Sequence, residues 1–549
     1  MVKMGIRNKI IENRDMLIEE LSKIEDGSVI AIAGFNNSVT PLYIMYSLID
    51  AYKKYGRPKN IFIEADSFPG VPGSGLDIIM KEIYENKWKD FISGILIPYL
   101  YRSEYLQRLA MENYFEIYSF SIGITTSLFR EMGSGRPGVL TKVGLGTFHD
   151  PRLDNSAVNE KARIKKRCKA ELININNEEY LLYTAPKPQI AFVRATSSDI
   201  DGNLSMEEEG IYGATLPVVL ATKSNPGGKV FAQIKYIVSQ KSRSPKEIHV
   251  PGPLVDYIVY APKEFAPQGA TVYYDPMISG QSIPNEIKIK FSNREMDERF
   301  VIRRRVAYEI AKLIAKEKRD IIVNFGTGLP TEISSVLAEE GISECIHTTV
   351  ESGPWGGVAL TGNDFGLSYG PYSIIQQADQ FIVYEGGIAD LTSLGFLEVD
   401  KNGNVNPSYT GERIPGPGGF SDISSGINRI YFAGGFTGGE RDIRVHENKL
   451  IIKKDGDIIK FVEKVKKVFF SGEYAIKRKK EVLYITERAV FTLTERGLKL
   501  IEIAPGVDID KDILEKMEFK PIIDEYDFIP EIIFSNKKMN LKEISNCLI

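Results

Sequence analysis

The sequence predicts an α/β protein built of two homologous open α/β domains in one chain. Three observations carry this. At 549 residues the chain is long enough for two large cores. Apolar runs of strand length alternate with amphipathic runs of helical spacing. The same ordered plan also recurs about 290 residues further along the chain.

In the first copy, Met16, Leu17, Ile18, Leu21 and Ile24 carry helical spacing, and Asp26-Gly27 makes a turn. Val29 to Ala33 reads as a buried strand and Gly34 to Pro41 as the loop after it. Leu42, Met45, Ile49 and Tyr52 then mark an amphipathic helix closed by Gly56. The next strand, Asn60 to Ala65, ends in Glu64-Ala65-Asp66.

In the second copy, Val306, Ile310, Leu313 and Ile314 share a helical face, and Ile321 to Phe325 is the strand. Gly326-Thr327-Gly328-Leu329-Pro330 is the loop. Ile333, Val336 and Leu337 continue as a helix closed by Gly341, and the strand from Cys345 to Val350 runs into Glu351. A third correspondence pairs Asp199-Ile200-Asp201-Gly202-Asn203-Leu204 with Asp400-Lys401-Asn402-Gly403-Asn404-Val405, both turn-forming. Phe381 to Tyr384 and Ile430 to Ala433 read as core strands. The alternation implies parallel βαβ units with helices on both faces. The predicted domains are 1–291 and 301–549, joined by a polar linker at 292–300.

Apolar residues make up 43% and charged residues 26%, as in an ordinary soluble globular protein. Lys+Arg of 69 against Asp+Glu of 73 leaves no electrostatic case for nucleic acid or an anionic membrane. The basic clusters Lys165-Lys166-Arg167 and Lys477-Arg478-Lys479-Lys480 are short and read as solvated faces, with a phosphate site open for one of them. Cys168, Cys345 and Cys547 form no CxxC pair, so neither a disulfide framework nor a zinc site is indicated. His149, His249, His347 and His446 are scattered without ligand spacing, and no metal is expected. Met1 to Arg14 lacks an apolar signal core, and no window of 18 apolar residues exists. A soluble, cytoplasmic, reducing setting is expected.

The motifs narrow the chemistry. Gly326-Thr327-Gly328 follows a strand, but Thr331 stands where a dinucleotide fingerprint needs its third glycine, and no phosphate-loop lysine follows. The loop can still offer amides to a phosphate or carboxylate. No GxSxG exists for a serine hydrolase. What remains is a carboxylate nucleophile. Thr349 to Gly357 sets Glu351 at the end of a β-branched run and before a glycine turn, where open α/β proteins do chemistry. A glutamate can attack a thioester if amides stabilise the oxyanion and water is kept out. The acyl-glutamyl anhydride so formed can return to a thioester, which suits exchange of CoA between two acids. His347, four residues earlier on the same predicted strand, would share the Glu351 face and is read as packing or as a support behind the glutamate, since anhydride chemistry needs no base.

The ordered motifs resemble family I CoA-transferases, in particular the fused acetate/propionate type with two homologous domains in one polypeptide. The resemblance runs through Thr141 to Phe148, Asp150-Pro151-Arg152, Asn225 to Val230 and Pro251 to Tyr257. It continues through Gly326 to Pro330, Glu351-Ser352-Gly353-Pro354, Val399-Asp400 with Gly403 to Asn406, Gly416 to Phe420, Glu487 to Phe491 and Ile503 to Gly506.

The resemblance implies that Glu351 is the catalytic nucleophile and that the backbone N–H of Gly418 or Gly419 holds the oxyanion. Gly144 and Gly146 would approach the acyl group across an interdomain cleft. Gly326, Gly328 and Pro330 would pack beside the glutamate, and Gly353 and Gly416 would contribute to substrate and CoA binding. Coenzyme A or acyl-CoA is implied as cosubstrate and a short-chain carboxylate as partner, with no permanently bound cofactor. Ping-pong kinetics and a homo-oligomer, dimer or tetramer, are also implied. Two departures stand out. Trp355 follows Pro354 and is either a core residue or a wall limiting acyl size. Gly34-Phe35-Asn36-Asn37-Ser38 replaces the family's glycine-rich loop, which leaves its part in CoA binding open. An acyl-CoA hydrolase and a non-catalytic acyl-CoA-binding protein are the alternative readings.

Overall fold

Runs of β-branched and aromatic residues form the central strands, and the periodic segments between them form the covering helices. The computed structural model describes residues 9–282 and 296–547. Residues 292–295 of the predicted linker lie outside the described residues. Residues 298–300 of it are helical, because Asp297 caps a helix there by accepting from the Phe300 N–H at 2.7 Å.

The first half contributes α1 (Arg14–Ser22), β1 (Val29–Ile32), α2 (Leu42–Tyr55), β2 (Ile61–Ala65), β3 (Ile92–Leu96), β4 (Glu116–Tyr118), α3 (Ile122–Gly133), β5 (Ile190–Arg194), β6 (Lys229–Ile234) and β7 (Tyr257–Tyr260). Its sheet is parallel, in the order β7-β6-β5-β1-β2-β3-β4, with Ile10–Ile11 added outside β7. The second half contributes α4 (Glu298–Glu317), β8 (Ile321–Phe325), α5 (Ile333–Glu339), β9 (Ile346–Thr349), α6 (Gln377–Glu385), β10 (Leu391–Leu394), α7 (Phe420–Gly426), β11 (Arg429–Ala433) and β12 (Glu481–Ile485). Its central strands are parallel in the order β12-β11-β10-β8-β9. Antiparallel strands Ala489–Thr494 and Gly497–Ile503 extend the sheet beyond β12.

The repeat read from the sequence is repeated in space. The order β7-β6-β5-β1-β2 matches β12-β11-β10-β8-β9 strand for strand. The two Asp turns also match in detail. Asp199 Oδ1 accepts from the N–H of Asp201 and Asn203, and its Oδ2 accepts from Asn203 Nδ2. Asp400 makes the same three bonds with Asn402 and Asn404. Asn203 Oδ1 then accepts from the Gly252 N–H at 2.8 Å, and Asn404 Oδ1 from the Gly472 N–H at 2.9 Å. These aspartates close turns, as an Asx side chain does by bonding backbone two residues on.

One apolar cluster runs through both halves, joining Ile32, Ile63 and Tyr118 to Val350, Phe381 and Phe420. A second cluster lies under α4, where Val301, Val306, Ile310 and Ile314 pack against Ile321 and Ile533. Two sequence expectations fail here. Phe381 to Tyr384 belongs to helix α6, whose buried Gln377, Ala378, Phe381 and Tyr384 keep helical spacing. A four-residue apolar run does not separate the two states. Cys345 and Cys547, read as unpaired, form a disulfide across 202 residues. Pairing at that separation depends on the fold, which brings the C-terminal segment against the start of β9. Among the described residues, no helix is long and apolar enough to cross a membrane.

Candidate active site

Strand β9 stops at Thr349 and the chain turns back at once. The Gly353 N–H donates to the Val350 carbonyl at 2.9 Å and the Val350 N–H to the Pro354 carbonyl at 3.0 Å. Gly353 has φ +126°, and a Cβ there would meet the Ile375 carbonyl at 2.1 Å, so this glycine is required by the turn. It does not line the cavity that Glu351 enters.

That cavity is about 710 Å3 and crosses the C-terminal ends of four neighbouring strands. Glu351 follows β9, Gly326 follows β8, Gly395 follows β10, and Gly434-Gly435 follow β11. The missing side chains keep the groove open over the strand ends, where ligands bind in open α/β sheets. Beneath it the polar groups are paired. Asn324 Nδ2 donates to the Tyr384 hydroxyl, which donates to Thr349 Oγ1, while Thr392 Oγ1 donates to Asn324 Oδ1. Phe35, Tyr99, Tyr101 and Phe365 form one wall, and Arg299, Arg413 and Arg441 also reach the cavity.

Glu351 is half-buried. The cavity admits water to its carboxyl while protein surrounds it on the other sides. Burial, then the nearby charge of Asp422, pushes its pKa up to about 8. Among the described residues no cation pairs with it. Against it lies the loop from Gly416 to Phe420. A Cβ on Gly419 would come 2.1 Å from Glu351 Oε2, so the glycine backbone touches the carboxyl. The Gly418 N–H is already bonded to the Pro98 carbonyl at 3.0 Å. Of the two candidate oxyanion donors, the Gly418 amide is thus occupied and Gly419 is the one at the carboxyl.

Gly326, Gly416, Gly418 and Gly419 all line the cavity, as do Thr327, Leu329 and Pro330. Gly328, with φ +83°, shapes the loop without forming its wall. Gly144 and Gly146 do not reach the site. A Cβ on Gly144 would meet the Tyr183 hydroxyl at 2.3 Å, and one on Gly146 would meet the Tyr474 ring at 2.7 Å. Both make a tight turn that packs on the helix Gly472–Lys477.

His347 is partly exposed and bonds the Tyr372 hydroxyl at 3.1 Å. It shares no face with Glu351, because β9 ends before the glutamate. Trp355 donates from Nε1 to Gln380 Oε1 at 2.6 Å and does not line the cavity, so it packs beside the site. Phe35 brings the loop at Gly34 to Ser38 into the cavity after all. Neither basic cluster reaches it. Arg167 pairs with Glu116, and Arg478 and Lys480 turn inward to the carbonyls of Ser425 and Ile427.

The family model for coenzyme A transferases matches residues 14–261. The chain is 35% identical to the caffeate CoA-transferase of Acetobacterium woodii over 512 residues, covering 92% of this chain and 94% of that protein. The chain belongs to the coenzyme A transferase family. It is a transferase enzyme, and it is also 33% identical to the acetate CoA-transferase YdiF of Escherichia coli strain K12, over 95% of each chain. The crystal structure of the acyl-CoA transferase YdiF of E. coli O157:H7, a thioester complex with CoA, superposes with a TM-score of 0.85 at 31% identity. That match covers 97% of both chains, so the whole two-sheet architecture is shared.

Sequence reasoning missed several residues of this CoA-transferase site. Tyr99, Tyr101 and Phe365 carry no motif, and they meet Phe35 only through the packing of the two halves. Gly395 and Gly434 were within reach, since each directly follows a strand-like run. Asp422, whose charge acts on Glu351, sits three residues beyond Gly419 and stood outside the quoted motif. Among the described residues no group of three or more His, Cys, Asp or Glu could hold a metal ion.

Proposed function

We propose that this enzyme moves CoA between small carboxylic acids by ping-pong kinetics, with Glu351 as the covalent nucleophile. The observation that carries the reading is the uncompensated Glu351 carboxyl at the end of β9, touched by Gly419 and open to a long cavity. A carboxylate without a counter-cation, partly stripped of water, is a stronger nucleophile than one in solution.

The Glu351 carboxylate attacks the thioester carbonyl, and the Gly419 amide stabilises the oxyanion that forms. CoA leaves as the thiolate, giving an acyl-glutamyl anhydride. The thiolate then attacks the glutamyl carbonyl, which frees the first acid and leaves a glutamyl-CoA thioester. The second acid attacks that thioester and displaces the thiolate. The thiolate takes the new acyl group from the resulting anhydride, and Glu351 returns as carboxylate. The CoA body would run along the glycine-floored groove, where Arg413 could meet its phosphates, while Arg299 and Arg441 would first have to leave Glu332 and Glu298. Binding along that length supplies energy used at the reacting carbonyl.

Acetate and propionate are the first acids to test, in line with the relatives named acetate CoA-transferases. A planar aryl acid is the second reading, favoured by the aromatic wall of Phe35, Tyr99, Tyr101 and Phe365 and by the relative that acts on caffeate. The deciding experiment incubates the enzyme with acetyl-CoA and then borohydride, followed by peptide mass spectrometry. Reduction of Glu351 to the alcohol supports the covalent route. An unmodified Glu351 across several acyl-CoA donors refutes it. Turnover measured with and without acceptor acid separates transfer from hydrolysis, and tight acyl-CoA binding without turnover would favour a binding protein.

A further inference from the structure

The loop that touches Glu351 belongs to the second half by sequence, yet it is held by the first half. The Leu100 N–H donates to the Pro415 carbonyl at 2.8 Å. The Gly418 N–H donates to the Pro98 carbonyl at 3.0 Å, and the Ile122 N–H donates to the Gly418 carbonyl at 2.9 Å. Those three bonds are backbone to backbone. A side chain completes the junction. Asp422, fully buried in the first turn of α7, accepts from Ser121 Oγ at 2.6 Å through Oδ1 and from the Gly123 N–H at 3.0 Å through Oδ2.

Gly123 has no room for a side chain, since a Cβ would lie 2.7 Å from Asp422 Cγ and 2.6 Å from Glu385 Oε1. The start of α3 is therefore shaped around the Asp422 carboxyl. No Arg or Lys pairs with Asp422 among the described residues, so the two donors of the first half are its counterparts. A buried carboxylate held this way is costly to misplace, because its donors would lose their acceptor as well.

We infer that Asp422 is a positioning residue for CoA transfer. It clamps the Gly416–Phe420 loop of the second half onto Ser121 and Gly123 of the first, and so fixes Gly419 against Glu351. The inference rests on the reading of Glu351 as nucleophile. It adds that the geometry of the nucleophile is set by the half of the chain that does not carry it. A displacement of Gly419 by 1 Å is enough to lower the rate of a positioned reaction by a large factor.

The test compares Asp422→Ala, Asp422→Asn and Ser121→Ala in the full-length enzyme. Each is assayed for acetyl-CoA:propionate transfer and for hydrogen exchange of peptides spanning 415–425. In Asp422→Ala, kcat should fall by roughly 10- to 100-fold while KM for acetyl-CoA stays within about 3-fold. Exchange should quicken in 415–425 and stay unchanged in β8 and β9.

Asp422→Asn keeps an acceptor for the Gly123 N–H and offers its amide to Ser121 Oγ. It should recover at least about 10-fold of the loss. Asp422→Ala with unchanged kcat and unchanged loop exchange overturns the inference. So does a loss in which KM rises in step or exchange quickens throughout the chain, since that marks a general structural role. If Asp422→Ala does not fold, Ser121→Ala decides. It removes one of the two bonds and should slow turnover by about 3- to 10-fold with faster loop exchange. No change in either overturns the clamp. If the wild type transfers no CoA, the proposed function falls by itself, and the exchange data still decide whether Asp422 holds the loop.

Discussion

Gly419 and Glu351 are in direct contact, and the space for a Cβ on Gly419 is already occupied by Glu351 Oε2, 2.1 Å away. Gly419 has φ −86°, a conformation alanine adopts freely, so the contact alone sets the cost of a side chain there. Gly419→Ala should fold and lose at least about 100-fold in kcat, because the nucleophile must move. Gly418 is the reverse case. Its φ is +57° and a Cβ would find its nearest neighbour, Tyr99 Cδ1, at 3.9 Å. Gly418→Ala should lose about 1 kcal/mol of stability and keep most of its turnover. In a Glu351→Ala background, Gly419→Ala should cost less stability than in the wild type, which a double-mutant cycle of melting data would reveal.

The raised pKa of Glu351 sets a pH dependence with a definite sign. The carboxylate is the reacting form, and burial followed by the Asp422 charge pushes its pKa up to about 8. In the free enzyme kcat/KM should therefore fall tenfold per pH unit as pH drops below about 8. A flat profile between pH 6 and 9 would contradict this assignment.

Stability should run the other way. The folded chain holds the Glu351 proton more tightly than the unfolded chain, whose value is near 4.5, so stability is lost as pH rises from there through about 8. Glu351→Gln removes the ionisation. It should match the wild type near pH 5 and exceed it at pH 9 by an amount on the order of 2 kcal/mol, discounted for the water in the cavity. Denaturant melts at the two pH values measure the difference.

The sequence carried the strand and helix order of both copies because hydrophobic period and turn residues are local signals. Ile321 to Phe325 and Leu42 to Gly56 needed no partner to be read. Glu351 was legible for the same reason, standing between a β-branched run and a glycine turn. What escaped depends on distant contacts. The apolar run of α6 satisfied strand and helix alike until its buried face was known. Gly144 and Gly146 kept the family spacing, yet they serve a turn in which Gly144 lies against Tyr183 and His149 and Gly146 against Tyr474. The wall of Phe35, Tyr99, Tyr101 and Phe365 exists only where two halves meet, so no window of sequence contains it.

The disulfide gives a count that chemistry can check. Cys345 is bonded to Cys547, and Cys168 is buried with its thiol pushed well above the ordinary value, chiefly by burial. Native protein isolated without reductant should give no fast-reacting thiol. The same sample should give one thiol after unfolding, and three after unfolding with reductant. Three thiols in the unreduced, unfolded sample would remove the bond. Closing a loop of 202 residues stabilises by at most about 5 kcal/mol, so reductant should lower the melting temperature measurably.

Choice of acid separates the aromatic wall from Trp355. Trp355 is bonded to Gln380 and lies outside the cavity, so Trp355→Phe leaves Gln380 Oε1 without its donor. That change should lower stability by about 1–3 kcal/mol and leave the ranking of acids as it was. Tyr101 lines the cavity and stacks on Tyr99 with ring centroids 5.0 Å apart. An aryl acid would exploit such a pair through stacking worth about 0.5–1.5 kcal/mol beyond area burial, whereas acetate has no surface to place there. Tyr101→Ala should therefore lower kcat/KM for a cinnamate-type acid by about 10-fold and for acetate by less than about 3-fold. Equal losses for both acids would mean that Tyr101 shapes the site for CoA alone, and would leave the short-chain acids as the better reading.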